Sequence, residues 1–173
     1  MRGHDRSSGF SILELLITLS ILVIIAAIAT PIYFSYIKKA RYSEILKAAE
    51  SYKTATALCR SAYATSNQAA QIICVNGKSG IPTEFVGDKN RGDRVQSITV
   101  SPVEGQPAVS KITIHPFAQG GISASDILTI HVIFDADVHN PQQKVRFDIF
   151  GPPCGTKGLI SQCSTEPNPS LYP

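Results

Sequence analysis

Apolar and polar positions divide the chain sharply. Met1 to Gly9 is polar and carries Arg2, Asp5 and Arg6. From Phe10 to Thr30 the chain is apolar for twenty-one residues, with Glu14 as its one ionisable side chain. A helix of that length rises about 30 Å, enough to cross the core of a bilayer. A transmembrane or signal segment is therefore expected. Pro31 lacks the N–H that would bond the carbonyl of Ala27, so a bend or weak turn is expected there.

Past Pro31 the pattern becomes amphipathic. Tyr33, Ile37, Ala40, Ile45, Ala48, Tyr52, Ala55 and Cys59 recur every three to five residues, while Lys38, Lys39, Arg41, Glu44, Lys47, Glu50 and Lys53 fill other positions. This is a helix with one packed stripe and one wet side. Helix formers continue to about Ala64, for a helix of roughly 50 residues and 80 Å. Its first half has no covering in its own domain, so it needs lipid or sister helices.

Asn67 to Val86 is irregular and polar, with turn signals at Asn76-Gly77 and Ser79-Gly80. Strand-like alternation follows at Val95–Val100, Val109–His115, Ile127–Phe134 and Lys144–Phe150. Period-two patterning with a polar opposite side describes an antiparallel sheet packed on one face. The amphipathic half of the helix is the natural partner for that face. The expected class is α+β, a long N-terminal α-helix packed on an antiparallel β-sheet of about four strands. Asp135-Ala136-Asp137 with His139-Asn140-Pro141 reads as a hairpin turn, solvated rather than calcium-binding. Gly151 to Pro173 is rich in Pro, Gly and Ser, and its end reads as a tail.

Composition narrows the function classes. A net charge of +3 over 173 residues is too weak to indicate nucleic acid by itself, so DNA is a possible partner that charge does not support. The four cysteines, Cys59, Cys74, Cys154 and Cys163, all follow the apolar stretch. An even count in a small exported domain reads as two disulfides, with three connectivities open. Disulfides need an oxidising compartment, which puts the C-terminal part outside the cytoplasm. No Cys-x-x-Cys pair is present, and His115, His131 and His139 are far apart, so no metal site is expected. On an alternating strand His131 is expected to face solvent. No Gly-x-Ser-x-Gly, P-loop or His-Glu-x-x-His pattern occurs, which argues against an enzyme and against a bound cofactor. Arg91-Gly92-Asp93 matches an adhesive tripeptide, but three residues match readily by chance.

The apolar stretch itself allows three readings: an uncleaved anchor, a signal peptide cleaved after Ala29, or a helix retained after cleavage between Gly9 and Phe10. The run Gly9-Phe10-Ser11-Ile12-Leu13-Glu14-Leu15 resembles the prepilin signature of type IV pilins and type II secretion pseudopilins. Ala26-Ala27-Ile28-Ala29, Pro31 and Tyr33 continue in that family's register without a gap. Two positions depart from the pattern. Val23 stands where the family usually has glycine, and Ser8 where a basic residue commonly precedes the glycine.

The resemblance implies a pilin-like lollipop fold and a specific processing route. Residues 1–9 would be a leader, 10–31 the hydrophobic transmembrane and assembly helix, 32–64 the amphipathic half, and 65–173 the head with a C-terminal disulfide loop and tail. A prepilin peptidase and methyltransferase would cut between Gly9 and Phe10 and methylate the Phe10 amine. The head would wait in the periplasm, anchored in the inner membrane, until pilus assembly machinery added it to a homo-oligomeric surface filament. Glu14 would meet the Phe10 amine of a neighbour, a pairing better suited to setting register than to net stability. Cysteine positions in such heads suggest Cys59 with Cys74, and Cys154 with Cys163. The implied role is a structural subunit of a type IV pilus serving adhesion, twitching motility or DNA uptake. The alternatives are a type II secretion pseudopilin, or an exported soluble binding protein cleaved after Ala29.

Overall fold

A computed structural model describes residues 9–63, 70, 72–135, 144–155, 160 and 163–164. The expected leader before Gly9, the turn at Ala136 to Pro141 and the tail beyond Ser164 lie outside the described residues. The chain forms two compact units, Met1–Ile37 and Lys38–Pro173.

In the first unit the chain enters helix α1, which runs Ile12–Ala48 and so continues into the second. Every described residue from Gly9 to Tyr36 is exposed. Three hydroxyls within the apolar run are satisfied locally. Thr18 donates to the Leu15 carbonyl at 2.9 Å, Ser20 to Ile17 at 2.8 Å and Thr30 to Ala26 at 2.6 Å. Hydroxyls bonded back to their own helix leave little unpaired polarity for hydrocarbon to meet. The helix runs on through Pro31 without a break. One missing N–H removes a single bond, and the flanking turns keep theirs.

The interruption falls instead at Ala49, between α1 and helix α2, Glu50–Ala62. The Ala49 N–H bonds the Leu46 carbonyl at 3.1 Å, three residues back, so one turn tightens locally. Within the second unit the buried stripe is Tyr42, Ile45, Ala49, Tyr52, Thr56 and Cys59. Its spacing alternates three and four residues, as a helix packed along one seam requires. Ala40 and Ala48, expected on that stripe, are exposed.

The sheet has five antiparallel strands in sequential order: β1 Phe85–Val86, β2 Val95–Val103, β3 Gln106–Pro116, β4 Leu128–Asp135 and β5 Lys144–Phe150. Four of these fall where alternation placed them. The short β1 lies in the stretch expected to be irregular. It pairs with β2 only through Phe85 to Ile98 and Val86 to Ser97. Farther along the same strand, Asn76 continues its role. Its Oδ1 accepts the Val100 N–H and its Nδ2 donates to the Pro82 carbonyl at 3.2 Å. Pro102 sits in β2 beside a register irregularity, beyond the reach of β1, where a missing donor is tolerated.

The core joins the helical stripe to Ile98, Val100, Ile112, Ile114, Leu128, Ile130, Val132 and Ile149. The other face of the sheet is not wholly polar. Val109 and Ile133, cross-strand partners there, are also buried. At the rim of the helix, Lys53 bonds Glu50 at 3.1 Å and stands 4.8 Å above the Phe147 ring.

Candidate assembly and processing segment

Gly9 and Phe10 stand just before α1, whose first bond runs from the Leu15 N–H to the Ser11 carbonyl at 3.1 Å. Glu14 occupies the first turn of α1. Unbonded N–H groups at a helix start favour an acid there, so this is the place in the segment where a carboxylate costs least. Phe10 and Glu14 are one turn apart. Pro31 lies about 25 Å farther along the helix and shares no site with them. Around Glu14 the surface is apolar and open, with Phe10 73% and Ile12 80% exposed. This helix is long and apolar enough to cross a membrane. Its side chains are matched to lipid or to other apolar helices.

Cys59 is joined to Cys74 across 15 residues, and Cys154 to Cys163 across 9. The first bridge ties the end of α2 to the loop that leads toward β1. A closed loop of that size is worth about 3 kcal/mol in the chain-entropy view. The second closes a loop just after β5. There the Ser164 N–H returns to the Ile149 carbonyl at 3.0 Å and its hydroxyl to Asp148 at 3.1 Å. Among the described residues no three His, Cys, Asp or Glu side chains converge as a metal ion needs.

His131 does not simply face solvent, as expected from its strand position. It is half-buried and meets the Phe150 ring edge-on at 5.1 Å. Phe150 belongs to β5, whose Asp148 stands opposite His131, so the contact is a diagonal cross-strand pair. Burial lowers the imidazole pKa, Lys111 lowers it further, and Asp148 opposes both.

Three polar anchors of the head escaped sequence reasoning. Tyr42 donates to the buried Asp126 at 2.5 Å. Arg60, 1% exposed at the end of α2, donates from Nε to Ser110 Oγ at 2.8 Å and from Nη1 to the Pro107 carbonyl. Burial pulls its guanidinium down to about 10. Asn76 is the third. No motif marks any of them, since each depends on a partner distant in sequence.

The segment carries a prepilin-type methylation motif, and the chain behind it has an α+β, pilin-like architecture. The family described as the prokaryotic N-terminal methylation motif matches residues 4–30. Prepilin peptidase-dependent protein D of Escherichia coli K12 is 28% identical over 114 residues, covering 64% of this chain and 71% of that protein. Type IV pilus subunit protein TapA of Aeromonas hydrophila is 38% identical over 77 residues, covering 44% and 51%. A fimbrial protein of Moraxella nonliquefaciens is 33% identical over 94 residues, covering 51% and 61%. The chain thus spans between half and two thirds of the latter two.

Proposed function

We propose that this chain is a structural subunit of a type IV pilus, cleaved between Gly9 and Phe10, methylated at Phe10, and assembled through α1. The carrying observation is an exposed apolar helix with one acid, Glu14, in its first turn and the methylation motif laid over it. The names of the relatives support the same reading.

In this account a prepilin peptidase acts on the leader and the same enzyme methylates the new amine. Before assembly α1 anchors the chain in the inner membrane with the head in the periplasm. On assembly the apolar side chains exchange lipid for sister helices. Burial of Glu14 is then tolerated because the Phe10 amine of a neighbour neutralises it. A misplaced subunit leaves a charge unpaired in a low-dielectric core, which costs several kcal/mol and enforces register. The chain acts by association and carries out no reaction itself.

Antibody labelling of sheared surface fibres tests this. Labelled fibres are expected, continuous for a major subunit and sparse for a minor one. Glu14→Ala should leave cleavage intact and reduce fibre yield. Fibres that never label, or normal yield from the variant, would count against the subunit role and the charge pair respectively.

A further inference from the structure

The start of the second unit gathers positive charge from two separate parts of the chain. After Glu14, no Asp, Glu, Lys, Arg or His occurs until Lys38, which is followed by Lys39 and Arg41. Loop 117–121, between β3 and β4, lies against this turn of helix. Arg41 donates to the Gly120 carbonyl, and the Lys38 stem crosses Gly121. Gly120 and Gly121 both have positive φ, 60° and 86°, and a side chain at either would collide with the cation beside it.

The same loop carries the turn 88–94 alongside. The Gln119 amide donates to the Asp93 carbonyl at 2.9 Å, and the Phe117 N–H to the Arg94 carbonyl at 3.0 Å. Arg94 in turn meets Glu44 at 3.3 Å. This joins Lys89, Arg91 and Arg94 to Lys38, Lys39 and Arg41. Three acids share the surface. Glu44 is engaged by Arg94, Asp88 accepts the Asn90 N–H, and Asp93 accepts the Asp88 N–H. Six cations against three carboxylates leave an excess equal to the whole chain's net charge of +3. Lys39, Lys89 and Arg91 are exposed.

We propose that this basic surface, formed by the first turn of helix in the head and the turn 88–94, docks on the anionic phospholipid headgroups of the membrane that holds α1. The inference rests on the membrane-anchored stage of the proposed function. Lys38 is only eight residues past Thr30, the end of the apolar run, so connectivity keeps the start of this surface near the headgroups outside a hydrocarbon core of about 30 Å. Lysine and arginine stems reach back toward that layer. Anionic lipid attracts such clusters, and the attraction fades within a Debye length. The Arg91-Gly92-Asp93 tripeptide then serves as part of a lipid-facing turn. Asp93 is turned onto the Asp88 backbone.

The test is acetylation of lysines in the full chain held one copy per nanodisc, read by mass spectrometry. Lys89 is the informative probe, because connectivity keeps Lys38 and Lys39 near the bilayer whatever the head does. Lys78 is the control. Its neighbours Ser79 and Gly80 border a groove with Glu50 and Leu58, well along the helix. Lys89 should react about threefold more slowly in discs containing phosphatidylglycerol than in phosphatidylcholine alone, matching the proton enrichment at a surface near −30 mV. The difference should vanish in about 0.5 M salt and in Arg91→Glu, while Lys78 stays unchanged. Equal Lys89 rates in both lipids overturn the proposal. Protection that needs two copies per disc assigns the surface to subunit contact and also overturns it. Neither result depends on cleavage at Gly9 or on fibres, so failure here is separable from failure of the pilus reading. A chain recovered outside the discs overturns both.

Discussion

The Tyr42 hydroxyl donates to Asp126 Oδ2 at 2.5 Å, linking residues 84 positions apart inside the head. Tyr42 is wholly buried and Asp126 is 1% exposed. Asp126 also accepts the Ser123 N–H at 3.0 Å. The pair fastens the loop before β4 to the helix, the same loop that places Gly120 beside Arg41. Tyr42→Phe should cost about 2 to 3 kcal/mol, since it removes a hydrogen bond to a buried charged group. Chemical denaturation in detergent measures this, and a loss below about 0.5 kcal/mol would show that the bond is dispensable.

The same pair sets the alkaline limit. Burial raises the Tyr42 pKa above its usual 10.0, and Asp126 raises it further. Burial, then Glu84, raises that of Tyr52, whose hydroxyl bonds the Thr83 carbonyl at 2.7 Å. Below pH 10 the phenols are protonated in both states, and their stabilisation is fully present. Above it the unfolded chain ionises first, so stability falls as pH rises through the folded values. Tyr42→Phe should flatten that decline above pH 10, and an unchanged slope would contradict the assignment.

Arg60 is a buried cation held by two neutral oxygens, with no carboxylate bonded to it among the described residues. Such a group contributes through packing and through satisfying its partners more than through its charge. Arg60→Ala should therefore cost about 2 to 4 kcal/mol, by opening a cavity and stranding Ser110 and the Pro107 carbonyl. Arg60→Met should cost clearly less. Equal losses on denaturation would mean that the charge, rather than the volume, is what the site needs.

His131 makes stability sensitive to mild acid. Its pKa is lowered from 6.5 mainly by burial. Above pH 6.5 the ring is neutral in both states. Below it the unfolded chain takes up the proton first, so stability falls as pH drops from 6.5 toward the folded value. Denaturation at pH 7.5 and at pH 5 should show a smaller difference for His131→Gln than for the parent, and an equal difference would exclude His131 as the cause.

Much of this head was legible because alternation survives in β2 to β5, where Ile98, Val100, Ile112, Ile114, Leu128 and Ile130 all point to one core. The helix was legible in extent but imprecise in face. Choosing apolar letters selected Ala40 and Ala48, whereas the packed stripe includes Tyr42, Thr56 and the neighbouring Arg60. Tyr42 and Arg60 are buried with Asp126 and Ser110 as their partners, and no local pattern announces a partner fifty or more residues away. Strand β1 was missed for a similar reason. Two residues carry no period, and Asn76 completes that edge with a side chain. The N-terminal motif was legible as well, since Gly9, Phe10 and Glu14 stand in one short frame, and the methylation-motif family matches residues 4–30.

The central claim concerns that segment, and intact mass with N-terminal fragmentation of the protein from cells addresses it most directly. A chain beginning at Phe10 and carrying one methyl group on its amine is the predicted result. A chain beginning at Thr30, or one retaining Met1, would contradict the account.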